Sequence, residues 1–473
     1  MEWKIITMKR FRVLGLLILY ALAGSQCSQQ HNAENQQNSE QERPNFVILF
    51  ADDMGYGDLQ CYGNPTIKTP NIDRLASQGI RFTSYMAAPW CVPSRAELMT
   101  GRYMTRIDLG GGTGAGGHGG LPDSELTLAE GLKQAGYATG MAGKWHLGYD
   151  PKKYLPTNRG FDSWLGLPYS NDYKKPYVQT DVPLVMYRDT TVAEYPVNQD
   201  SLTVKYTREA TRFIREHSGG QQPFFFYLAY NMTHLPIHTT SEFFGKSGAG
   251  LFGDVVQTVD WSVGEVMQTL KEEGLADNTI VFFATDNGPW QNAPARMYKI
   301  PKHPEGTNWE LRGAGNKHWY VGSAGPLRGY KHTTFEGGPR VPAMMRWPGH
   351  IAPGQVSDEL VANLDIYRTF LEEGGGQLPD HPVDGYNIIP FVTGKTDQSP
   401  RNEYAYLLHG TLTALRVGPW KLKLNDERPE LFNLQTDVGE KYNRAGQEPE
   451  IVHRLRQRME EVARELGAQL PGE

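Results

Sequence analysis

Four short strand-like runs, each followed at once by polar side chains, constrain this chain more than any other feature. They span residues 45–51, 137–142, 223–230 and 279–285. Most of their positions are apolar rather than alternating. A strand of that kind is buried on both faces, as in a parallel sheet covered by helices. Helical segments fall between the runs. Thr69-Pro70 opens one that Gly79 stops, and residues 94–100 form a second. Thr127 and Glu130 have capping-box spacing and start a third, which ends at Gly136. Residues 205–217 and 255–273 supply two more. Alternating β and α segments predict an α/β fold: a large, mostly parallel sheet sandwiched by helices. After Gly394 the pattern changes. Residues 412–417 and 420–424 read as strands joined by Gly418-Pro419, and residues 449–470 as a charged amphipathic helix. The chain therefore divides into a catalytic-size domain over 44–394 and a smaller α+β subdomain over 395–473.

A length of 473 residues accommodates both. The net charge of -6, with both signs spread along the chain, leaves no basic footprint for nucleic acid. At the start, Lys9, Arg10 and Arg12 precede an apolar run over 13–23 and then small residues. That is the build of a signal segment, placed here at 1–27, and its apolar run is too short to span a bilayer comfortably. Residues 28–43 are rich in Gln, Asn, Ser and Glu and read as a disordered tether. Export to a periplasm or cell surface is expected. Cys27 is a candidate for a lipid anchor, although Gln26 departs from the usual small residue before such a cysteine. The other two cysteines are Cys61 and Cys91, so at most one disulfide can form between them. Taken alone, Cys91 is either an inert small hydrophobe or a group with chemistry to do.

Its surroundings favour chemistry. Ligand sites in parallel sheets lie at the carboxyl ends of the strands. The first run ends in Asp52-Asp53 and the last in Asp286-Asn287. The run at 137 leads to Lys144 and His146, and the run at 223 to Asn231 and His234. Aspartates after a strand are often only turn residues. Two acidic pairs on one edge instead call for a cation, and oxygen donors suit Ca²⁺ or Mg²⁺. Cys91 precedes Pro93 and a helix start, where free N–H groups favour an anion. Arg95, Lys144, His146, His234 and Lys331 add positive groups. A nucleophile position ringed by basic groups and a metal stabilises charge developing on a tetrahedral oxyanion.

These residues resemble the sulfatase family of the alkaline-phosphatase-like superfamily, and its arylsulfatase A and N-acetylgalactosamine-6-sulfatase branch in particular. Cys91-Val92-Pro93-Ser94-Arg95 is similar to the family's Cys-x-Pro-Ser-Arg signature, continued by Leu98-Met99-Thr100-Gly101-Arg102. The run from Gly136 to His146, Thr285-Asp286-Asn287-Gly288, and Lys331 through Gly338 match further motifs. The resemblance implies sulfate-ester hydrolysis on a sulfated carbohydrate or aryl sulfate, as in glycan degradation. It implies that a formylglycine-generating maturation enzyme oxidises Cys91, and that Asp52, Asp53, Asp286, Asn287 and residue 91 hold Ca²⁺. It gives Arg95 the task of steadying the formylglycine, and His146 that of taking a proton during sulfate release. His234 and Lys331 would face the leaving oxygen, one of them donating a proton. Lys144 and Ser170, in Pro168-Tyr169-Ser170, would bind sulfate.

Two other readings stay open at this point. One is phosphodiester or phosphonate monoester hydrolysis, since such a site fits tetrahedral anions in general. The other is a non-catalytic, sugar-binding surface lipoprotein whose Cys91 remains a thiol. His238 competes with His234, whereas His118 and His332 read as loop histidines. Asn231-Met232-Thr233 is a sequon whose position argues against glycosylation. Trp290, Trp309 and Trp319 are either a sugar platform or packing. The insertion at 291–325 is expected to shape specificity. The glycine-rich stretch at 110–120 and Gly143-Lys144 lack phosphate-loop spacing.

Overall fold

The computed structural model describes residues 43–111, 113–294, 297, 321–425 and 428–472. The signal segment, nearly all of the tether, Trp309, Trp319 and most of the 291–325 insertion lie outside them. Seven strands build the main sheet around the site: β1 (Asn45–Ala51), β2 (Ile80–Met86), β3 (Ala138–Gly143), β4 (Ser163–Gly166), β5 (Phe224–Ala229), β6 (Thr279–Thr285) and β7 (Arg340–Arg346). Short strands at its two edges bring the described sheet to 11. The spatial order through the middle is β2-β7-β6-β1-β5-β3-β4. β1 pairs in parallel with β6, from Asn45 opposite Thr279 to Ala51 opposite Thr285, and with β5 on its other side. β3 continues the parallel set between β5 and β4.

Every residue of β1, β5 and β6 is buried because helices cover both faces. Val47, Leu49 and Ala51 point into one core, against α1 (Pro70–Ser77), α4 (Leu202–Glu216) and α5 (Gly250–Glu272). Phe46, Ile48 and Phe50 point into the other, against α2 (Cys91–Thr100), α3 (Leu128–Gln134) and α6 (Asn363–Glu373). Burying each such Phe or Ile contributes roughly 1.5–3 kcal/mol, an upper figure because unfolded chains already shelter some apolar surface. The Thr127 cap forms as expected: its Oγ1 accepts from Glu130 N at 3.0 Å, and Glu130 Oε2 accepts from Thr127 N at 2.7 Å.

The sheet is more mixed than the sequence pattern indicates. β7 runs antiparallel to β6 and to β2. Neither β2 nor β7 announces itself. β2 carries Arg81 and Thr83 half-exposed between buried residues. β7 contains Pro342, which ordinarily argues against an interior strand. The register shifts between Val341 and Ala343, so Pro342 occupies an irregularity in the ladder where its missing N–H is tolerated. Helix α2 begins at Cys91, three residues ahead of the expected start, with extended Trp90 as its N-cap.

The C-terminal subdomain is an antiparallel meander of β8 (Glu403–Leu408), β9 (Thr411–Val417), β10 (Trp420–Lys423) and β11 (Glu430–Asn433). Its outer strands β8 and β11 are additions to the sequence reading. Helix α7 (Pro449–Leu466) lays Met459, Val462, Ala463 and Leu466 on this sheet. Tyr404 and Tyr406 of β8 share that cluster with Met86 and Leu364, which ties the small sheet to the large one.

Candidate active site

Because β6, β1, β5 and β3 are parallel neighbours, their carboxyl ends line one edge, and the chemistry collects there. β1 delivers Asp52 and Asp53, β6 delivers Asp286 and Asn287, β3 delivers Lys144 and His146, and the segment after β5 delivers His234. The turn out of β3 needs glycine: Gly143 has φ +111, and a Cβ there would lie 1.7 Å from Ala229 O. Asp53 (φ 60), His146 (φ 64) and His332 (φ 64) hold left-handed backbone conformations. Such conformations cost roughly 1–2 kcal/mol each for residues with a Cβ and persist where packing over-determines them.

Cys91 opens α2 and points into this edge at 4% exposure. Its Sγ lies 3.5 Å from Asp52 Oδ1 and 3.9 Å from Asp53 Oδ1, and it accepts from Lys331 Nζ at 3.1 Å. One turn on, Arg95 donates through Nε (3.1 Å) and Nη2 (2.8 Å) to Asp286 Oδ2. Its Nη1 donates to Lys144 O at 3.1 Å. Lys144 Nζ is 2.5 Å from Asp52 Oδ2, and Lys331 Nζ is 2.6 Å from Asp53 Oδ1. Thus Asp52, Asp53 and Asp286 meet Arg95, Lys144 and Lys331 in a buried cluster whose formal charges balance. Balance matters because an unpaired charge at such depth is strongly destabilising.

Burial, reinforced by Asp286 and Asp52, pushes the Cys91 thiol well above its usual range. As a thiol it is therefore neutral and a weak nucleophile. Burial also works against charge on Lys331, yet Asp53 beside it holds its ammonium well above the usual value. Lys144 is raised in the same way, burial being outweighed by Asp52. Burial, then Lys144 and Arg95, drives His146 well below its usual value. Burial and Lys331 do the same to His234.

Oxygens are left over for a cation. One ligand atom each from Asp52, Asp53, Cys91 and Asp286 falls within 4.8 Å of the others. Asp53 Oδ2 and Asn287 Oδ1 are buried with no hydrogen-bond partner among the described residues. The donor set fits a hard divalent ion. A dication held together with a dianionic product would leave the charge balance intact.

A family model described as "Sulfatase" matches residues 44–375, and one described as "N-sulphoglucosamine sulphohydrolase, C-terminal" matches residues 330–465. The chain belongs to the sulfatase family. It is 37% identical over 465 residues to arylsulfatase A of Homo sapiens, covering 88% of this chain and 86% of that one. It is 40% identical to N-acetylgalactosamine-6-sulfatase of Rattus norvegicus, covering 80% of this chain and 71% of the relative. The solved structure of Ps i-CgsB in complex with k-i-k-neocarrahexaose superposes with a TM-score of 0.74 at 28% identity, covering 89% of this chain and 93% of that one. The protein is an enzyme, a sulfuric ester hydrolase. The sulfatase names of these relatives support the sulfate reading over the phosphodiester one and the catalytic reading over the non-catalytic one.

The sulfatase brings every anticipated site residue to this edge. Ser170 Oγ lies 3.4 Å from the His234 ring nitrogens, and His234 Nε2 is 3.7 Å from Asp53 Oδ2. His238 turns away to Asp200 at 2.8 Å, so of the two it is His234 that faces the cluster. His118 is a surface residue paired with Asp150, and His332 stacks 6.1 Å from Trp90 beside the site. Asn231 is 1% exposed and accepts from Tyr206 OH, a poor glycosylation target in the folded chain. Cys61 and Cys91 are both free. Trp290 is half-buried, its ring centre 5.2 Å from that of His234 and 4.8 Å from Lys331 Nζ. Three residues escaped the sequence reading. Tyr227, within β5, places its OH 3.5 Å from Arg95 Nη1. Tyr173 stands edge-on to His146, with ring centres 6.3 Å apart. Asp172, two residues past Ser170, buries Oδ1 without a hydrogen-bond partner among the described residues. For Asp172 and Tyr173, closeness to Ser170 was the available signal; Tyr227 left none.

Proposed function

We propose that this sulfatase removes sulfate from a sulfated carbohydrate, with Cys91 converted to formylglycine and Ca²⁺ held by Asp52, Asp53, Asp286, Asn287 and residue 91. The observation that carries the reading is the buried, charge-balanced cluster around Cys91, whose leftover acceptors are Asp53 Oδ2 and Asn287 Oδ1. A buried thiol of raised pKa is poorly suited to attack sulfur, whereas a group derived from it by oxidation is not bound by that limit. Formylglycine would supply a hydroxyl nucleophile there, and Ca²⁺ would supply positive charge to the sulfate oxygens.

The chain's own residues do the rest. Arg95, braced by Asp286, steadies residue 91 from one turn down α2. Lys144 and Lys331 flank Cys91 and bind sulfate oxygens, with Ser170 adding a hydroxyl. Lys331 and His234 face the ester's leaving oxygen, where an ammonium offsets the charge that develops as the bond breaks. His234 Nδ1 lies 2.5 Å from Leu235 O, which leaves Nε2 for the site. His146 Nδ1 has no hydrogen-bond partner among the described residues and stands ready to take the proton released when sulfate departs. Trp290, beside His234 and Lys331, presents an aromatic face where the alcohol portion of the ester must lie. Sugar rings pack well on such faces. The sugar named for the rat relative and the oligosaccharide bound to Ps i-CgsB are consistent with this choice.

Two measurements on purified protein test the proposal. Mass spectrometry of the peptide containing residue 91 should show a loss of about 18 Da relative to cysteine. The same preparation, loaded with Ca²⁺, should hydrolyse 4-nitrophenyl sulfate and sulfated monosaccharides. Fully converted, Ca²⁺-loaded protein that leaves a broad sulfated panel untouched would sink the reading. We also propose export through the segment at 1–27, with lipidation of Cys27 as one outcome. Sequencing the mature amino terminus in cell fractions decides it; an unprocessed cytoplasmic chain would overturn it.

A further inference from the structure

Lys331 belongs to no strand or helix, yet its Nζ is set within 2.6 Å of Asp53 and 3.1 Å of Cys91. Something must hold its loop. On one side the loop closes on strand ends of the large sheet: Lys331 N donates to Pro289 O, His332 N to Pro89 O, and Gly288 N to Gly338 O. On the other side it is held by the C-terminal subdomain. Glu336, five residues after Lys331, is fully buried. Its Oε1 accepts from Tyr406 OH at 2.6 Å and from Lys421 Nζ at 2.9 Å, and its backbone N donates to Glu440 Oε2 at 2.7 Å. Lys421 Nζ also lies 2.8 Å from Glu440 Oε1, with both side chains at 0% exposure. Glu440 holds φ 50, and its carbonyl accepts from Arg328 Nη1 at 3.0 Å. Thr334 Oγ1 accepts from Thr413 Oγ1 at 2.7 Å.

We infer that Lys421 and Glu440 are positioning residues for Lys331, so that the C-terminal subdomain sets the geometry of the leaving-group side of the site. Lys421 is the only cation in direct contact with both Glu336 and Glu440 among the described residues. Removing it leaves two buried carboxylates facing one another at the foot of the loop, and like charges in a low-dielectric interior repel strongly. Arg340 compensates only the far side of Glu336. The loop can relieve the repulsion by lifting Glu336, and Lys331 moves with it. A network that served stability alone would have no reason to affect one class of substrate more than another.

The inference rests on Lys331 facing the leaving oxygen, and the test separates the two claims. Full-length, matured, Ca²⁺-loaded enzyme is compared with Lys421→Met, using kcat/KM on a series of aryl and sugar sulfates whose alcohols differ in acidity. Poor leaving groups need the ammonium most. The expected result is a loss of at least tenfold on sugar sulfates, a several-fold smaller loss on 4-nitrophenyl sulfate, and a steeper dependence on leaving-group acidity. Hydrogen exchange of the amides at 329–336 should quicken at least tenfold, with β1 and β6 unchanged. Equal losses across the series, or unchanged exchange in folded variant, would overturn the inference. If the wild type turned over no sulfate ester, the reading of the reaction would fail, and the exchange result alone would decide whether Lys421 holds the loop. If Lys421→Met does not fold, Tyr406→Phe removes only one hydroxyl from Glu336 and should shift the leaving-group dependence in the same direction by about threefold; no shift would overturn the inference.

Discussion

Asp53 is bound on every side at once. Its Oδ1 accepts from Lys331 Nζ at 2.6 Å and from Asn287 Nδ2 at 2.7 Å, and its backbone N donates to Asp286 Oδ1 at 3.1 Å. Its Oδ2 is left for a cation. Asp53→Asn keeps the shape and removes the charge that Lys331 and a metal both need. Metal content measured alongside kcat should fall together, kcat by at least about 100-fold, a size typical of losing a preorganised charged group at a reaction centre. Cys91→Ala, in contrast, should retain the metal carboxylates and the fold while losing all but a trace of turnover, a drop on the order of 10⁴-fold or more. Wild-type rates in that variant would mean that residue 91 is not the nucleophile's origin. Asp52, Asp53, Asp286, Asn287, Lys144 and His146 were legible because each closes a recognisable strand. Lys331 was not legible by that logic, since no strand precedes it and contacts from distant residues place it; it stood out as a basic residue, and the family motif gave it its place. Asp172 and Tyr173 carried only their closeness to Ser170 as a cue, and a tyrosine inside an apolar strand, as at Tyr227, looks like core.

At the level of elements, the parallel centre was readable because fully buried strands leave an unbroken apolar imprint. β7 was not, because Pro342 argues against a strand unless the ladder irregularity that accommodates it is already known. The loop running into β7 carries the clearest pH signature. Burial works against charge on Glu336, but Lys421, Arg340 and Arg416 hold its carboxyl well below the usual glutamate value of 4.5. A carboxyl depressed in the folded state contributes stability above its unfolded value and loses it as pH falls. Thermal melts should therefore show a steep decline below about pH 4.5. Glu336→Gln should be less stable near neutrality, and its melts should decline less steeply with acid. Parallel slopes for the two proteins would contradict this account.

For the molecule as a whole, the balanced cluster predicts how the protein behaves without the proposed Ca²⁺. Arg95, Lys144 and Lys331 already neutralise Asp52, Asp53 and Asp286, so chelation should abolish turnover without unfolding the chain. A ligand at a hundredfold excess over its Kd adds about 2.7 kcal/mol. Calorimetry with EGTA and then with excess Ca²⁺ should accordingly give a melting temperature that drops by a few degrees and recovers. Collapse of the fold on chelation would show that the cations do not balance the site. The depth of Cys91 has one more consequence. At 4% exposure, beneath Lys331 and at the head of α2, its sulfur is beyond the reach of another enzyme's active site once the chain has folded. If Cys91 is converted as proposed, maturation must come before folding, and a molecule that folds first as a thiol is locked out of the productive population. Two batches of equal purity can then differ in specific rate solely through the race between oxidation and folding during synthesis. Under that proposal a rate constant would have meaning only per converted residue 91.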